Sequence, residues 1–166
     1  MSSVTLDALD DRILAALRQQ GRISNLELAT QVGLSPSQCL RRVRRLEETG
    51  VIRGYTALVD DARLGFDIAA WVVVSIRRGT VGSRERVMQL LQGHRAVVSA
   101  HGITGDVDFL VQVRARNMAE FTRLLVDELN GHPDILSTQS YLCLDAVKSA
   151  AGGSGKSPSN SVHERA

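Results

Sequence analysis

The sequence predicts an α+β protein, with a three-helix helix-turn-helix domain first and a ferredoxin-like βαββαβ domain after it. Three observations carry this. Two capping boxes, Ser24–Glu27 and Ser35–Gln38, are separated only by a short helical run and Gly33. From residue 67 onward, β-branched strand-like runs alternate with amphipathic helical runs. Aromatic residues make up 4% of the 166 residues and hydrophobic residues 43%, so the cores are aliphatic.

The first domain is expected over residues 1–50. Its first helix runs near Asp7 to Gln19, where Leu9, Ile13, Leu14 and Leu17 form the stripe of an amphipathic helix. Ser24-Asn25-Leu26-Glu27 starts a second helix, the hydroxyl and carboxylate each satisfying a free amide, and Gly33 ends it. Ser35-Pro36-Ser37-Gln38 starts a third at once, with proline at the first helical position, and Gly50 closes it. Two capped helices joined by the tight Val32-Gly33-Leu34 turn make a helix-turn-helix.

Residues 51–66 read as a hinge, a strand over VIRGYTALVD followed by a turn at DARLG. The second domain is expected over residues 67–148. DIAAWVVVSIR is a strand and SRERVMQLLQ a helix with Val87, Leu90 and Leu91 on one face. AVVSAHGI and DFLVQVR are strands about the TGDV turn. NMAEFTRLLVDELNG is a helix capped by Asn117, burying Phe121, Leu124, Leu125 and Leu129, and ILSTQSYLCLDAV closes the set as a strand. An antiparallel sheet with helices on one face needs a cover for the other, and dimerisation is the usual one. Residues 149–166, small and polar, are expected to be a disordered tail.

The third helix decides the function. With Cys39 at zero and about 100° per residue, Val43 and Leu46 fall near Cys39 as a packing stripe. Ser37, Arg41, Arg44 and Arg45 lie opposite, Gln38 at their edge and Arg42 on a flank. An arginine face with short polar residues near the helix N-terminus suits the major groove of double-stranded DNA. Arg42, by its angle, suits a structural ion pair equally well.

Other chemistry is thin. A net charge of +2, from 20 Lys+Arg and 18 Asp+Glu, does not by itself point to nucleic acid. Cys39 and Cys143 have neither disulfide nor metal spacing, and both read as small buried hydrophobes. The four histidines have no metal spacing, and no G-x-S-x-G, phosphate loop or catalytic triad is present, so neither an enzyme nor a cofactor is expected. MSSVTLDALDDR lacks the basic start and apolar core of a secretion signal, and the longest apolar run, Ile68 to Val74, is too short for a bilayer. A cytoplasmic protein without membrane contact is expected.

The stretches LDALDDRILAALRQQGRISNLELATQVGLSPSQCLRRVRRLEETGVIRGYTALVD and ITGDVDFLVQVRA resemble the Lrp/AsnC (feast/famine) transcriptional regulators, in that family's order and spacing over about residues 4–148. The resemblance implies a helix-turn-helix, a hinge strand and a βαββαβ domain that binds a small effector, usually an amino acid, at dimer–dimer contacts. It further implies homodimers that assemble further, often to octamers. It assigns DNA contact to the segment from Ser35 to Arg45, namely Ser35, Pro36, Ser37, Gln38, Arg41, Arg42, Arg44 and Arg45. It places the effector at Thr104, Gly105, Asp106 and Asp108, with His101, Thr138 and Ser140 lining the same cleft. Gly102 and Val107 stand where many relatives are expected to carry larger or more polar residues. Two alternatives share the fold: a tetrapyrrole (siroheme) decarboxylase-like enzyme, and an architectural DNA-binding protein without an effector.

Overall fold

A computed structural model describes residues 4–145. The chain divides into two compact units, and the division falls between Val59 and Asp60. The tail at 149–166, and the last residues of the expected final strand, lie outside the described residues.

The first unit holds α1 (Ala8–Gln19), α2 (Asn25–Val32) and α3 (Pro36–Glu48). All three start on capping boxes. Asp7 and Asp10 cap α1, Ser24 and Glu27 cap α2, and Ser35 and Gln38 cap α3 with Pro36 in its first turn. Gly33 ends α2 with φ of 74°, a left-handed conformation that most side chains resist, which turns the chain sharply into α3. The Asn25 side-chain amide donates to the Pro36 carbonyl at 2.9 Å and ties the two starts together. Ile13, Ala16, Leu28, Ala29, Val32, Cys39 and Leu46 are buried as one core. Since α3 is otherwise so polar, its docking depends on Cys39, Val43 and Leu46, with Leu46 alone contributing about 2 kcal/mol by burial.

The hinge strand expected within residues 51–66 does not form. A strand needs a ladder partner for its backbone groups, and among the described residues no segment pairs with 51–59. Val51 and Ile52 instead pack on the first core, and the Ile52 amide donates to the Leu46 carbonyl at 2.9 Å. The hinge is therefore divided: Asp60 to Phe66, with a short 3-10 turn at Ala62–Leu64, belongs to the second unit.

The second unit runs β1 (Ile68–Ile76), α4 (Ser83–Gly93), β2 (Val97–Gly102), β3 (Phe109–Ala115), α5 (Met118–Arg123) and β4 (Ile135–Leu142). Its four strands form one antiparallel sheet in the order β2-β3-β1-β4. Alternation along the strands separates two faces. Ala70, Val72, Val74, Phe109, Val111 and Val113 point to the helices and bury with Val87, Leu91, Phe121 and Leu124. Trp71, Val73 and Leu110 lie on the other face, where no described helix covers them, and are only partly buried.

Helix α5 is more irregular than its amphipathic pattern suggests, because it passes into a π-helical turn at Leu124–Leu129. Positions five apart diverge by about 140° on an α-helix, whereas i→i+5 bonding aligns them. The Asn130 amide donates to the Leu125 carbonyl in that pattern, and Leu124 and Leu129 are both buried. Beyond this turn in the chain, Asp134 is clamped by Arg86 through two 2.6 Å hydrogen bonds and by the Ser83 hydroxyl at 2.8 Å. No described helix is long and apolar enough to cross a membrane.

Candidate DNA-reading face and effector turn

The four arginines of α3 separate into two pairs. Arg42 donates to Asp7 and to Asp10, each at 2.8 Å, and Arg45 also pairs with Asp10. Asp10 has no exposed side-chain surface. Burial pushes its carboxyl up, but the Asp7 amide, the Arg42 hydrogen bond and the charge of Arg45 outweigh this and hold it below the usual range. Arg42 and Arg45 are three apart, so they share a flank of the helix. On the helical wheel Arg42 lies about 60° and Arg45 about 120° from the packing stripe in the same sense, and a long side chain at either angle reaches Asp10. The flanking role foreseen for Arg42 is what the structure shows, and Arg45 shares it.

Arg41 and Arg44 are exposed, with no ion-pair partner among the described residues. With Ser37, Leu40, Arg42, Arg45 and the acids Asp7 and Glu48 they line an open groove of about 570 Å³. Ser35 and Gln38 are occupied with each other: the Gln38 side-chain oxygen accepts from the Ser35 hydroxyl at 3.0 Å and from its amide at 3.3 Å. Pro36 sets the first turn, and Ser37 is the exposed residue of this group nearest the arginine face. The signal for the Arg42–Asp10 anchor was present in the sequence, since Asp10 sits on the stripe of Ile13, Leu14 and Leu17 and an acid there demands a counter-charge.

The second group of residues gathers less completely. Thr104, Gly105 and Asp106 are exposed on the β2–β3 turn, and Gly105 has φ of 123°, open to glycine alone. Asp108 is partly committed to the fold: one carboxylate oxygen accepts the Ile76 amide at 2.8 Å, its own amide donates to Val74, and its carbonyl accepts from Ile103. This fixes the turn against the end of β1. Thr138 is paired with Val74 in the ladder and donates to the Asn130 side chain at 3.0 Å, on the helix-covered face with Ser140 beside it. His101 pairs with Leu110 and points to the opposite, uncovered face. Two strands separate β2 from β4, about 14 Å at the usual strand spacing. One chain thus does not bring His101 together with Thr138 and Ser140; only the turn and the end of β1 are contiguous.

Cys143 departs from its expected burial. It lies just past the last residue of edge strand β4 and is exposed, whereas Cys39 is buried as its position on the stripe required.

Residues 6–53 match the winged helix-turn-helix DNA-binding family model, and residues 69–152 match the Lrp/AsnC ligand binding domain. A leucine-responsive regulatory protein of Rhizobium meliloti is 39% identical over 147 residues, 89% of this chain and 94% of its own length. The Escherichia coli protein of the same name is 38% identical over 143 residues, 86% of this chain and 87% of its own. Among solved structures, a transcriptional regulator of Neisseria meningitidis in complex with L-Met matches with a TM-score of 0.84 at 34% identity, covering 93% of this chain and 96% of that one.

Proposed function

This chain belongs to the Lrp/AsnC family of DNA-binding transcription regulators, and from that premise we propose how its residues divide the work. Arg41 and Arg44 contact DNA directly, while Arg42 and Arg45 are first of all the anchors that hold α3 at its working angle. The observation that carries this is the unequal pairing: Asp10 and Asp7 occupy Arg42 and Asp10 occupies Arg45, whereas Arg41 and Arg44 are exposed and have no ion pair among the described residues. Ser37 and the N-terminal turn set by Ser35, Pro36 and Gln38 approach base edges, where short polar side chains fit the major groove. The outer N–H groups of Arg45 remain available to a phosphate at the rim.

The effector is an amino acid held by the turn at Thr104, Gly105, Asp106 and Asp108. The relative bound to L-Met supports this class, and Gly105 lets a ligand approach backbone closely. His101, Thr138 and Ser140 complete the site only where a second copy of the chain approaches, because one chain holds them on opposite faces. The uncovered sheet face with Trp71, Val73 and Leu110 pairs two copies into a homodimer, and dimers assemble further, to an octamer. Each dimer then presents two α3 helices to half-sites about one helical turn apart. Effector binding alters transcription to the extent that it prefers one assembly or head spacing over another. Its work on DNA supports a cytoplasmic location.

The test is a salt titration of binding to duplex DNA selected by the protein from a random pool. Arg41→Ala and Arg44→Ala each flatten the log–log salt slope by about one. Unchanged affinity and slope in both variants would remove the assignment.

A further inference from the structure

The effector turn is closed at its base by the paired residues Gly102 and Phe109, and Arg84, in the first turn of α4, lies across both. Its guanidinium carbon stands 4.7 Å from the centre of the Phe109 ring. One of its terminal nitrogens stands 2.5 Å from where a Cβ on residue 102 would be. A side chain at 102 and the guanidinium therefore compete for one space. With glycine at 102 the terminal nitrogen of Arg84 keeps this position, which a Cβ there would force it to leave.

Among the described residues Arg84 has no ion pair and no hydrogen bond, although its neighbour Arg86 is held twice by Asp134. A guanidinium stacked by one face on an aromatic ring keeps its N–H edge free, and that edge matches a carboxylate in two-point geometry. At the tip of the same turn Asp106 is exposed and has no partner among the described residues. The cation at the base and the carboxylate at the tip are thus both without partners among the described residues.

We propose that Arg84 is a specificity-determining residue of the effector site, receiving the effector's carboxylate at the Phe109 ring in the space left by Gly102. This rests on the amino-acid effector reading above. It narrows that reading to ligands with a free carboxylate, because an uncharged amide forfeits the charge-assisted pair.

The full chain is screened by thermal shift against the twenty L-amino acids, and the one giving the largest rise is compared with its carboxamide. Wild type is expected to bind the acid about tenfold more tightly than the amide, the scale of one charge-assisted contact. Arg84→Gln is expected to bind the acid about tenfold more weakly and to lose the preference, with Arg84→Lys restoring part of it. Gly102→Ala is an independent second variant. Its backbone is outside the left-handed region, so alanine is conformationally allowed, and its Cβ displaces Arg84 with the same loss of preference. If both Arg84→Gln and Gly102→Ala keep the wild-type preference for acid over amide, Arg84 is not the receptor although the effector reading stands. If no amino acid raises the wild-type melting temperature, the effector reading fails and the role of Arg84 falls with it.

Discussion

The guanidinium of Arg42 lies 2.8 Å from the carboxylate of Asp10, across 32 residues of sequence, and so ties α3 to α1. The same carboxylate holds Arg45. A buried acid with two arginines is tolerated only while its partners remain, because an uncompensated buried charge is costly. Arg42→Ala is therefore expected to lower the melting temperature by several degrees while leaving the DNA salt slope unchanged. Arg44→Ala is expected to do the reverse. Melting curves and salt titrations on both variants check this, and equal behaviour would contradict the division of labour on α3.

Acid should act on the second unit through Asp134. The hydrogen bonds from Arg86 and then Ser83 draw its pKa down to about 2, against a usual value near 3.8. A carboxylate with a depressed folded-state pKa contributes stability that is fully present above its unfolded value and is lost as pH falls through the folded one. Stability is thus expected to decline between about pH 4 and pH 2. In Asp134→Asn that part of the decline should flatten, as measured by denaturant unfolding at each pH.

The two thiols should separate cleanly in a labelling experiment. Cys39 is fully buried and burial pushes its pKa up, while Cys143 is exposed. Native protein is expected to react with a thiol reagent at Cys143 quickly and at Cys39 only as the first unit opens, so full reaction requires denaturant. Rapid modification of Cys39 in the native state would show that the α3 stripe is not packed.

The turn between α2 and α3 depends on one backbone angle. An added Cβ at Gly33 meets no atom within 4 Å, so the cost of Gly33→Ala is conformational alone. About 1 kcal/mol is expected for a left-handed residue with a side chain, read from denaturant unfolding. A much larger loss would mean that α2 and α3 are re-oriented, and DNA affinity would fall with it.

The uneven legibility of this protein has physical causes. Caps, stripes and strand alternation act over three to five residues, so the three helices of the first unit and the βαββαβ order were readable. The π turn at Leu124–Leu129 was not, because an amphipathic run shows which side of a helix is buried but carries no mark of the i→i+5 bonding that brings Leu124 and Leu129 into line. The β-branched residues after Gly50 suggested a strand, yet propensity supplies no partner edge. Cys143 looked buried for the same reason, as its neighbours resemble a strand interior and only the sheet order makes β4 an edge.

The sequence by itself determined that α3 begins at a capped proline turn, packs through Cys39, Val43 and Leu46, and turns arginines outward. It also determined that a glycine-containing turn joins the second and third strands of the βαββαβ unit. Only the tertiary structure decided which arginines are free. Asp10 approaches α3 from another helix, and a long side chain goes to the charge it can reach, whatever its angle on the wheel. The same is true at the β2–β3 turn, where Arg84 and Gly102, far apart in the chain, meet because α4 packs on the sheet.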